Sequence, residues 1–599
     1  MEDKKLTGYP SIDKPWLKYY NKKFDYSDIP DVSIYQLALD SNKDRLNNIA
    51  IDLRSSFNGF SRGIKITYKK LFSRIRASAK ASIALGISKD ELIPIVLPNI
   101  PEARILLYSN SIIGAISFPI SPLMPPKQLE RIIIDNNVNI IFLFKGFYEK
   151  YICALEKTNL KKIILLDGSE SLPELLKTVY RPKNVKKNVI IEKNIQILTW
   201  HQYEHLAKKI NHEIKPFYEG GHVTAVIGTS GTTGAPKGVC LTDRNINAAA
   251  LSYINGGATE GSFLDALLPS IGYGISMLHY QTVDGRYVYL IPELITTNIS
   301  KVLCQLKADN FPGGPVHYIN IAGSEEFTNH LFPKFNNMIS GGASLPHEIE
   351  KQLNGVDANY CENGVNEKIF VRQGYGLSEN VAMGTYSIRG SYKFGSTGIP
   401  MPYLTIGIFK PGTDEELKYG ENGEICISGP TVMKGYLNSE DETNTVIVLH
   451  EDGTRWIHTK DIGYMDEDGH LFHIDRIKNI FMRTGFNVHP AKIAEFINNI
   501  PFVRNCAVIG FPHPKEQCVP IAFVEINPMI ANGLSYEECE EQLRNACFAN
   551  LEETSVPYDY VFVNAFPINA GGKIDTTLLV QKSGINYYKS KSINRDLYF

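Results

Sequence analysis

The chain carries almost no net charge, and this limits the partners that it can have. Its 62 basic and 64 acidic residues leave a formal net charge of -2 at pH 7. A protein that binds nucleic acid concentrates basic residues in a patch or stripe, and no such excess is present. We therefore expect no nucleic acid among its partners.

Paired cysteines and long apolar runs are also missing. The nine cysteines stand singly, without a CxxC pair, so neither structural zinc nor a disulfide framework is indicated. The amino terminus lacks the apolar core of a signal peptide, and stretches such as Ile112–Ile120 are too short to cross a bilayer. These absences predict a cytoplasmic protein with no transmembrane segment.

The order of local patterns predicts several packed α/β units. A chain of 599 residues with 43% hydrophobic residues is too long for one core. Helical and strand patterns alternate over residues 60–145, and a second alternating block extends from residue 163 to about residue 430. Short strands broken by turns follow over residues 423–474, and the last hundred or so residues mix helices and strands.

A loop rich in glycine and hydroxyl residues is the most informative segment. Residues 226–238 read V-I-G-T-S-G-T-T-G-A-P-K-G and lie between two apolar strands. Glycines let backbone N–H groups converge on an anion, hydroxyls add donors and Lys237 adds a positive charge, so the loop suits a phosphate. It is not a Walker A loop, because Lys237 precedes Gly238 rather than Ser or Thr. A flexible linker is disfavoured by the flanking strands.

On this loop and on motifs that follow in order, the chain resembles the adenylate-forming (AMP-binding) superfamily of acyl-CoA synthetases, luciferases and peptide-synthetase adenylation domains. The later motifs are S-G-G-A-S-L-P over residues 340–346, Q-G-Y-G-L-S-E over 373–379, T-K-D over 459–461, D-R-I-K-N over 475–479 and P-I-N-A-G-G-K-I-D over 567–575. The resemblance implies an α/β fold with a large N-terminal domain, residues 1–475, built from two layered α/β subdomains and a distorted β-barrel. A small mobile α+β lid domain, residues 476–599, follows a hinge near Lys478.

The resemblance also implies a nucleotide site. Tyr375 stacks on adenine, Asp461 binds the ribose hydroxyls, and Glu379 and Thr232 hold Mg²⁺ and take part in catalysis. Lys460 stands where the family has glycine, which leaves the local backbone geometry open. The full set of implied contacts to nucleotide or thiol comprises Thr229, Ser230, Gly231, Thr233, Gly234, Lys237, Gly341, Gly342, Ala343, Gly374, Tyr375, Gly376, Ser378, Asp461, Ile474, Arg476, Lys478 and Gly485.

Lys573 is implied as the catalytic lysine of the lid. It follows two glycines, and Asp575 is expected to cap the helix that begins at Thr576. In the family such a lysine stabilises the negative charge of the adenylation transition state, and the lid then rotates to open a path for a thiol. The loop around Gly485 resembles the segment that faces the active site in this second orientation.

The acid and the thiol remain open at this stage. Residues 268–275 lack the Phe-Asp pattern of amino-acid adenylating domains, so we expect a fatty or aryl acid rather than an amino acid. Coenzyme A is the expected acceptor, with ATP and Mg²⁺ as the other requirements. Two alternatives remain: transfer to the phosphopantetheine of an acyl carrier protein, and a nucleotide-binding pseudoenzyme without turnover.

Overall fold

The structure is a computed structural model of the whole chain. It describes residues 6–54, 63–168, 171, 195–229, 237–257, 260–292, 298–332, 335, 337–355, 370–388, 390–484, 486–531, 533–568, 573–585 and 596–597. Four β-sheets occur within these ranges, two large and two smaller.

The largest sheet has nine strands in the described part of the chain. Its six central strands are parallel, and antiparallel strands close both edges. Across the sheet the strands are Ile399–Pro400, Thr385–Tyr386, Val371–Tyr375, Asn337–Ser340, Asn310–Gly313, Phe263–Asp265, Val288–Leu290, Ile49–Leu53 and Ile64–Thr67.

The second large sheet has eight strands among the described residues. Six are parallel, and one edge is antiparallel. In order they are Gly435–Tyr436, Gly238–Thr242, Val223–Gly228, Ile116–Pro119, Leu92–Val96, Ile140–Phe144, Lys162–Leu166 and Gln196–Thr199. The strands ending at Gly228 and beginning at Gly238 form the hairpin that carries the glycine-rich loop, so the loop emerges at this edge.

A layer of helices lies between the two large sheets and shares one apolar core with both. Helix Gly272–Val283 is buried at every position, including its polar residues Ser276, His279, Gln281 and Thr282. Helix Tyr68–Leu85 begins where Thr67 accepts a hydrogen bond from the Lys70 N–H and ends at Gly86 in the left-handed conformation. The layer comprises Ile34–Ser41, Tyr68–Leu85, Pro101–Ile113, Trp200–Leu206, Asp243–Asn255 and Gly272–Val283.

Outer helices cover the other face of each large sheet. On the nine-stranded sheet they are Ile299–Leu306, Pro315–Ala322, Glu325–Thr328 and His347–Asn354. On the eight-stranded sheet they are Pro126–Asp135 and Tyr148–Leu155. The two sheets and three helical layers confirm the predicted pair of layered α/β subdomains. Apart from the helices of the next two sheets, the remaining helical elements in the described ranges are short. They are the helix Pro10–Asp13 and the helical turns Pro15–Tyr19, Tyr26–Asp28, Lys43–Arg45, Lys145–Phe147, Ala207–Lys209, Ser378–Asn380, Ile477–Asn479 and Glu553–Ser555.

The third sheet is antiparallel and has five strands in the residues that the structure describes. They are Thr405–Phe409, Gly423–Ser428, Arg455–Met465, Ile447–Leu449 and Leu471–Arg476, with helix Glu440–Val446 beside them. The strands broken by turns that the sequence predicts here are confirmed. One such turn spans residues 466–469, where Met465 pairs with Leu471 and Gly469 has a φ of 91°. Closure of this sheet into the predicted barrel stays a prediction.

The fourth sheet forms a small α+β unit at the C-terminal end. Its described strands are Phe481–Arg483, Phe486–Val488, Val503–His513, Gln517–Ile526, Asp559–Val563 and Asp596–Leu597. Helices Pro490–Asn498, Pro528–Ala531, Tyr536–Asn550 and Thr576–Ser583 cover it. The predicted fold class is confirmed. No helix in the described ranges combines the length and apolar composition needed to cross a membrane.

Candidate active site

Asp461 lies at the centre of a polar cluster formed where the nine-stranded and five-stranded sheets meet. The hydroxyl of Tyr375, at the end of its strand, donates to Oδ2 of Asp461 at 2.8 Å. Arg476 Nε lies 2.9 Å from Asp461 Oδ1, because Asp461 and Arg476 are paired on adjacent strands. Asp461 is buried, so both partners act on a carboxylate with little access to water. Ile474 lies half-buried on the Arg476 strand.

A bulge in strand Arg455–Met465 turns Asp461 towards this cluster. The pairing with strand Gly423–Ser428 shifts register between Glu424 and Cys426, which leaves extra residues around Lys460. Lys460 has a φ of 62°, in the left-handed region where the family has glycine. Glu424 Oε1 accepts from the Lys460 N–H at 2.9 Å and stabilises this conformation. Although Lys460 replaces the glycine of the family, the backbone at this position therefore keeps a conformation typical of glycine.

The ring of Tyr375 is held by a close backbone turn and an imidazole. A Cβ at Gly376 would lie 2.4 Å from the carbonyl carbon of Ala382, so only glycine fits the turn after Tyr375. A Cβ at Gly374 would lie 3.2 Å from a carbonyl oxygen. His473 faces the Tyr375 ring with centroids 5.7 Å apart. Burial lowers the pKa of His473 and raises that of Tyr375 well above its usual value, so both rings stay neutral.

Glu379 stands at the other side of the cluster, on the helical turn that contains Ser378. Tyr436 donates to Glu379 Oε1 at 2.8 Å, and the Met433 N–H donates to the Glu379 backbone carbonyl at 2.8 Å. Tyr436 also faces the ammonium of Lys237, which lies 5.1 Å from its ring centroid. Tyr436 thus joins the acidic residue to the glycine-rich loop, a role that the sequence did not indicate.

The described ends of the glycine-rich loop are joined by a hydrogen bond. The Thr229 N–H donates to the Lys237 carbonyl at 2.9 Å, and Lys237 Nζ lies 3.2 Å from Glu442 Oε1. This arrangement places Lys237 beside Tyr436 and Glu379. Five predicted residues lie outside the described residues: Ser230, Gly231, Thr232, Thr233 and Gly234.

The predicted glycine turn at residues 341–343 follows strand Asn337–Ser340. Gly341 donates to the Gly313 carbonyl at 3.0 Å, and Gly342 has a φ of 89°. A Cβ at Gly341 would lie 3.3 Å from the ring of Tyr273, while a Cβ at Gly342 would point into open space. The turn before Ala343 therefore presents a bare backbone edge, which can lie against a flat ring.

Lys573 lies within the electrostatic field of the Asp461 cluster. Lys573 is an exposed residue, and desolvation by the groups around its ammonium is the main cause that lowers the pKa of Lys573. Arg476 and Lys478 lower this pKa further, and Asp461 and Glu379 oppose the shift. Burial, followed by Arg476, also lowers the pKa of Lys478. The structure therefore brings Lys573 to the predicted site, whereas Gly485 lies outside the described residues.

Contacts across the junction position the C-terminal unit in this orientation. His347 Nδ1 lies 2.6 Å from Glu495 Oε1, and the Ala491 N–H donates to Asp475 Oδ2 at 3.0 Å. Asp575 caps the helix after Lys573 as predicted, because its Oδ1 accepts from the Leu578 N–H at 2.9 Å. Sequence patterns gave no sign of the His347–Glu495 pair.

An aromatic hollow lies behind the glycine turn, between the central helical layer and the nine-stranded sheet. Its free volume is about 10 Å³, roughly the space of one water molecule. It is lined by Tyr253, Phe263, Tyr280, Ile339, Tyr386 and Met401 among others. Tyr386 pairs with Gly374, so this small, closely packed gap borders the predicted nucleotide site.

Sequence families agree with this arrangement. The family model described as "AMP-binding enzyme" matches residues 42–437, and the model described as "AMP-binding enzyme C-terminal domain" matches residues 492–573. The first match covers more than half of the chain, so the chain belongs to the AMP-binding enzyme family. The resemblance stated from the sequence motifs is confirmed.

Individual relatives extend over nearly the whole chain. A long-chain-fatty-acid–CoA ligase of Bacillus subtilis is 28% identical over 589 residues, covering 96% of this chain and 99% of the relative. A probable 4-coumarate–CoA ligase of Dictyostelium discoideum is 27% identical, covering 85% and 88%. Among solved structures, the anthranilate CoA ligase AuaEII with anthranoyl-AMP has a TM-score of 0.76 at 17% identity, covering 93% and 98%. ATP-bound MatB of Rhodopseudomonas palustris has a TM-score of 0.74 at 21% identity, covering 92% and 99%, so these structures share the fold.

Proposed function

We propose that the protein is an acid–thiol ligase, which uses ATP to convert a carboxylic acid into an acyl-adenylate and pyrophosphate, and then transfers the acyl group to coenzyme A. The observation that carries this proposal is the convergence of Asp461, Tyr375 and Arg476 with Lys573, which comes from the other end of the chain. The membership of the chain in the AMP-binding family supports the same chemistry.

The nucleotide fits the cluster as follows. Asp461 accepts hydrogen bonds from the ribose hydroxyls through the lone pairs that Tyr375 and Arg476 leave. Adenine would stack on the Tyr375 ring and lie along the bare backbone at Gly342, where an added Cβ would meet no atom within 4 Å. The phosphates extend towards Lys237 and the loop that contains Thr229, where N–H groups and hydroxyls receive them.

Magnesium fits the acidic side of the site. Glu379 is the described carboxylate there, and the hydrogen bond from Tyr436 orients it, while Thr232 would add a hydroxyl ligand. When bound, the ion neutralises charge on the phosphates. The adenylation and thioester-forming steps are described below from the side chains of this protein.

Lys573 acts in the first half-reaction. The acid oxygen attacks the α-phosphorus of ATP, the bond to the β-phosphate oxygen breaks, and pyrophosphate leaves with the electron pair. Negative charge grows on the equatorial oxygens, and the Lys573 ammonium stabilises it. Asp461 and Glu379 act on the charge of Lys573, which agrees with its place beside the nucleotide site.

The second half-reaction uses a different orientation of the lid. The boundary between the large domain and the lid domain lies between residues 475 and 476, and the hinge is at Lys478. Rotation of the lid domain about this hinge withdraws Lys573 from the site and brings the loop around Gly485 to it. The thiol sulfur then attacks the acyl carbon and AMP leaves. We place this chemistry in the cytoplasm, with a fatty or aryl acid as the substrate.

An assay with paired acceptors tests the proposal. Purified protein is incubated with ATP, Mg²⁺ and a panel of fatty and aryl acids, and pyrophosphate and thioester are measured with coenzyme A and with a holo acyl carrier protein. We expect acid-dependent pyrophosphate release and a CoA thioester. A thioester formed on the carrier protein but not on coenzyme A would contradict the assignment of coenzyme A as the acyl acceptor. Absence of pyrophosphate release with every acid would favour a nucleotide-binding pseudoenzyme.

Matched aspartate variants show whether the activity depends on the cluster. Asp461→Asn should lower kcat/KM for ATP at least ten-fold, because a buried carboxylate held by two partners is replaced by an amide. Asp468→Asn changes an exposed carboxylate paired with Lys18 and should leave the value unchanged. Equal effects of both substitutions would contradict the placement of the ribose.

A further inference from the structure

Two histidines meet on the five-stranded sheet, and neither is among the residues assigned to the nucleotide. The Nε2 atoms of His450 and His458 lie 3.0 Å apart, and Asp414 Oδ1 lies 3.5 Å from Nε2 of His450. The donor atoms of all three residues lie within 4.8 Å of one another. His450 and His458 are buried, whereas Asp414 is 42% exposed and leaves the cluster open to solvent on one side.

The backbone holds these three residues from separate elements. His458 is on strand Arg455–Met465, His450 precedes that strand in a tight turn, and Asp414 lies in the turn after Thr405–Phe409. The His450 ring stacks on Trp456 with centroids 5.5 Å apart. The two imidazoles are therefore fixed in an apolar setting before any ligand arrives.

The distances match the requirements of a small transition ion. Two ligands at about 2.05 Å from a tetrahedral Zn²⁺ are about 3.3 Å apart, and the two measured separations lie on either side of this value. Glu424 Oε2 lies 3.1 Å from Nδ1 of His458. A carboxylate on Nδ1 fixes the tautomer that leaves the Nε2 lone pair free for a metal, and ligating histidines commonly have such a partner.

We propose that Asp414, His450 and His458 form a binding site for a divalent transition ion of the zinc type, with Glu424 as the residue that orients His458. Two imidazoles and a carboxylate suit Zn²⁺ better than Mg²⁺, which prefers oxygen ligands. With Nδ1 of His458 protonated against Glu424, the proton between the two Nε2 atoms belongs to His450. When the ion binds, solvent takes this proton from Nε2 of His450 and returns one to Nδ1 of the same ring, so both Nε2 lone pairs face the metal and no net proton is lost. The site uses no cysteine ligand, which is why cysteine spacing did not indicate it.

The same carboxylate links this site to the nucleotide cluster. Glu424 Oε2 faces His458, and Glu424 Oε1 accepts from the backbone N–H of Lys460, next to Asp461. A metal on His458 would thus restrain the carboxylate that holds the bulge. The predicted consequence is a more stable large domain when the ion is bound. Metal binding itself is measured without ATP, so it does not depend on the proposed function.

Equilibrium dialysis of the full chain with Zn²⁺, after removal of bound metal with a chelator, tests the site. We expect one ion per chain at this site, an affinity at least ten-fold lower for Asp414→Asn and for His450→Gln, and a loss of about 10- to 100-fold for Glu424→Gln. Asp414 is partly exposed, so its substitution preserves folding, which circular dichroism verifies. Zn²⁺ should raise the melting temperature of the wild type more than that of Asp414→Asn.

The matched control removes another histidine pair. His201 and His205 lie on the surface of helix Trp200–Leu206 with ring centroids 5.9 Å apart, so they are one exposed pair that could compete for zinc. His205→Gln should leave the affinity unchanged. The proposal is wrong if zinc affinity falls with His205→Gln but not with Asp414→Asn, or if the wild type binds no zinc. With Co²⁺, a thiolate charge-transfer band from nearby Cys426 would also contradict the assigned ligands.

Discussion

Substitution of Lys460 tests how the bulge presents Asp461. The left-handed φ of 62° costs a residue with a Cβ about 1–2 kcal/mol, and Lys460→Gly removes this cost. Against it stand about 0.4–1 kcal/mol of added unfolded-chain entropy and a half-exposed ion pair of Lys460 with Glu424 at 3.7 Å, worth about 0.2–0.5 kcal/mol. The glycine variant should therefore lie within about 1 kcal/mol of the natural protein.

A β-branched residue at the same position should behave differently. Lys460→Val forces a side chain that strongly disfavours φ above zero into that conformation, and we expect it to be about 2 kcal/mol less stable than Lys460→Gly. The strain is relieved by movement of the bulge, which separates Asp461 from Tyr375 and raises the KM for ATP.

The assay combines urea unfolding, followed by circular dichroism, with steady-state kinetics. The order of stability should be glycine and lysine above valine, with a raised KM for valine alone. Equal stability and equal KM for the glycine and valine variants would refute the view that the backbone conformation at residue 460 positions Asp461.

Three further predictions concern the lid and the cluster. Lys573→Ala should reduce acid-dependent pyrophosphate exchange by about 10²- to 10³-fold while sparing thioester formation from supplied acyl-adenylate; an equal loss in both steps would contradict its assigned role. Burial would lower the pKa of His347, but Glu495 reverses this and raises it, so the ion pair is fully formed below the ordinary histidine pKa and is lost as pH rises through the raised value. Glu495→Gln should therefore slow adenylation about two- to five-fold at pH 6 and little at pH 9. A loss of rate that is equal at both pH values would show that the His347–Glu495 ion pair does not hold the C-terminal unit in this orientation. Tyr375→Phe removes the hydroxyl that donates to Asp461 and should lower kcat/KM for ATP about ten-fold, whereas unchanged kinetics would show that this hydrogen bond does not position the carboxylate.

Local patterns in the sequence were sufficient for many elements of the fold. Helices Tyr68–Leu85 and Tyr536–Asn550 both begin directly after a hydroxyl residue that caps them, Thr67 and Ser535, a signal that lies next to each helix in the sequence. The turn at residues 466–469 was predictable for the same reason. Asp575 caps its helix as expected from its place before Thr576. Each of these features depends on neighbours within a few residues.

Contacts between distant segments could not be predicted in this way. Tyr436 reaches Glu379 only because its short strand pairs with Gly238–Thr242, and nothing around residue 436 indicates that pairing. The histidine pair at residues 450 and 458 depends on a turn and a strand whose register the sequence leaves open. Ordered motifs identified the nucleotide residues, whereas the residues that orient them needed the fold.

The most direct test of the central claim is detection of the intermediate. The protein is incubated with ATP, Mg²⁺ and an acid that supports pyrophosphate release, without any thiol, and the products are examined by mass spectrometry. The account predicts an acyl-adenylate, formed with pyrophosphate in about equal amounts and consumed when coenzyme A is added. Thioester formation with release of ADP and phosphate, and with no acyl-adenylate at any time, would contradict it.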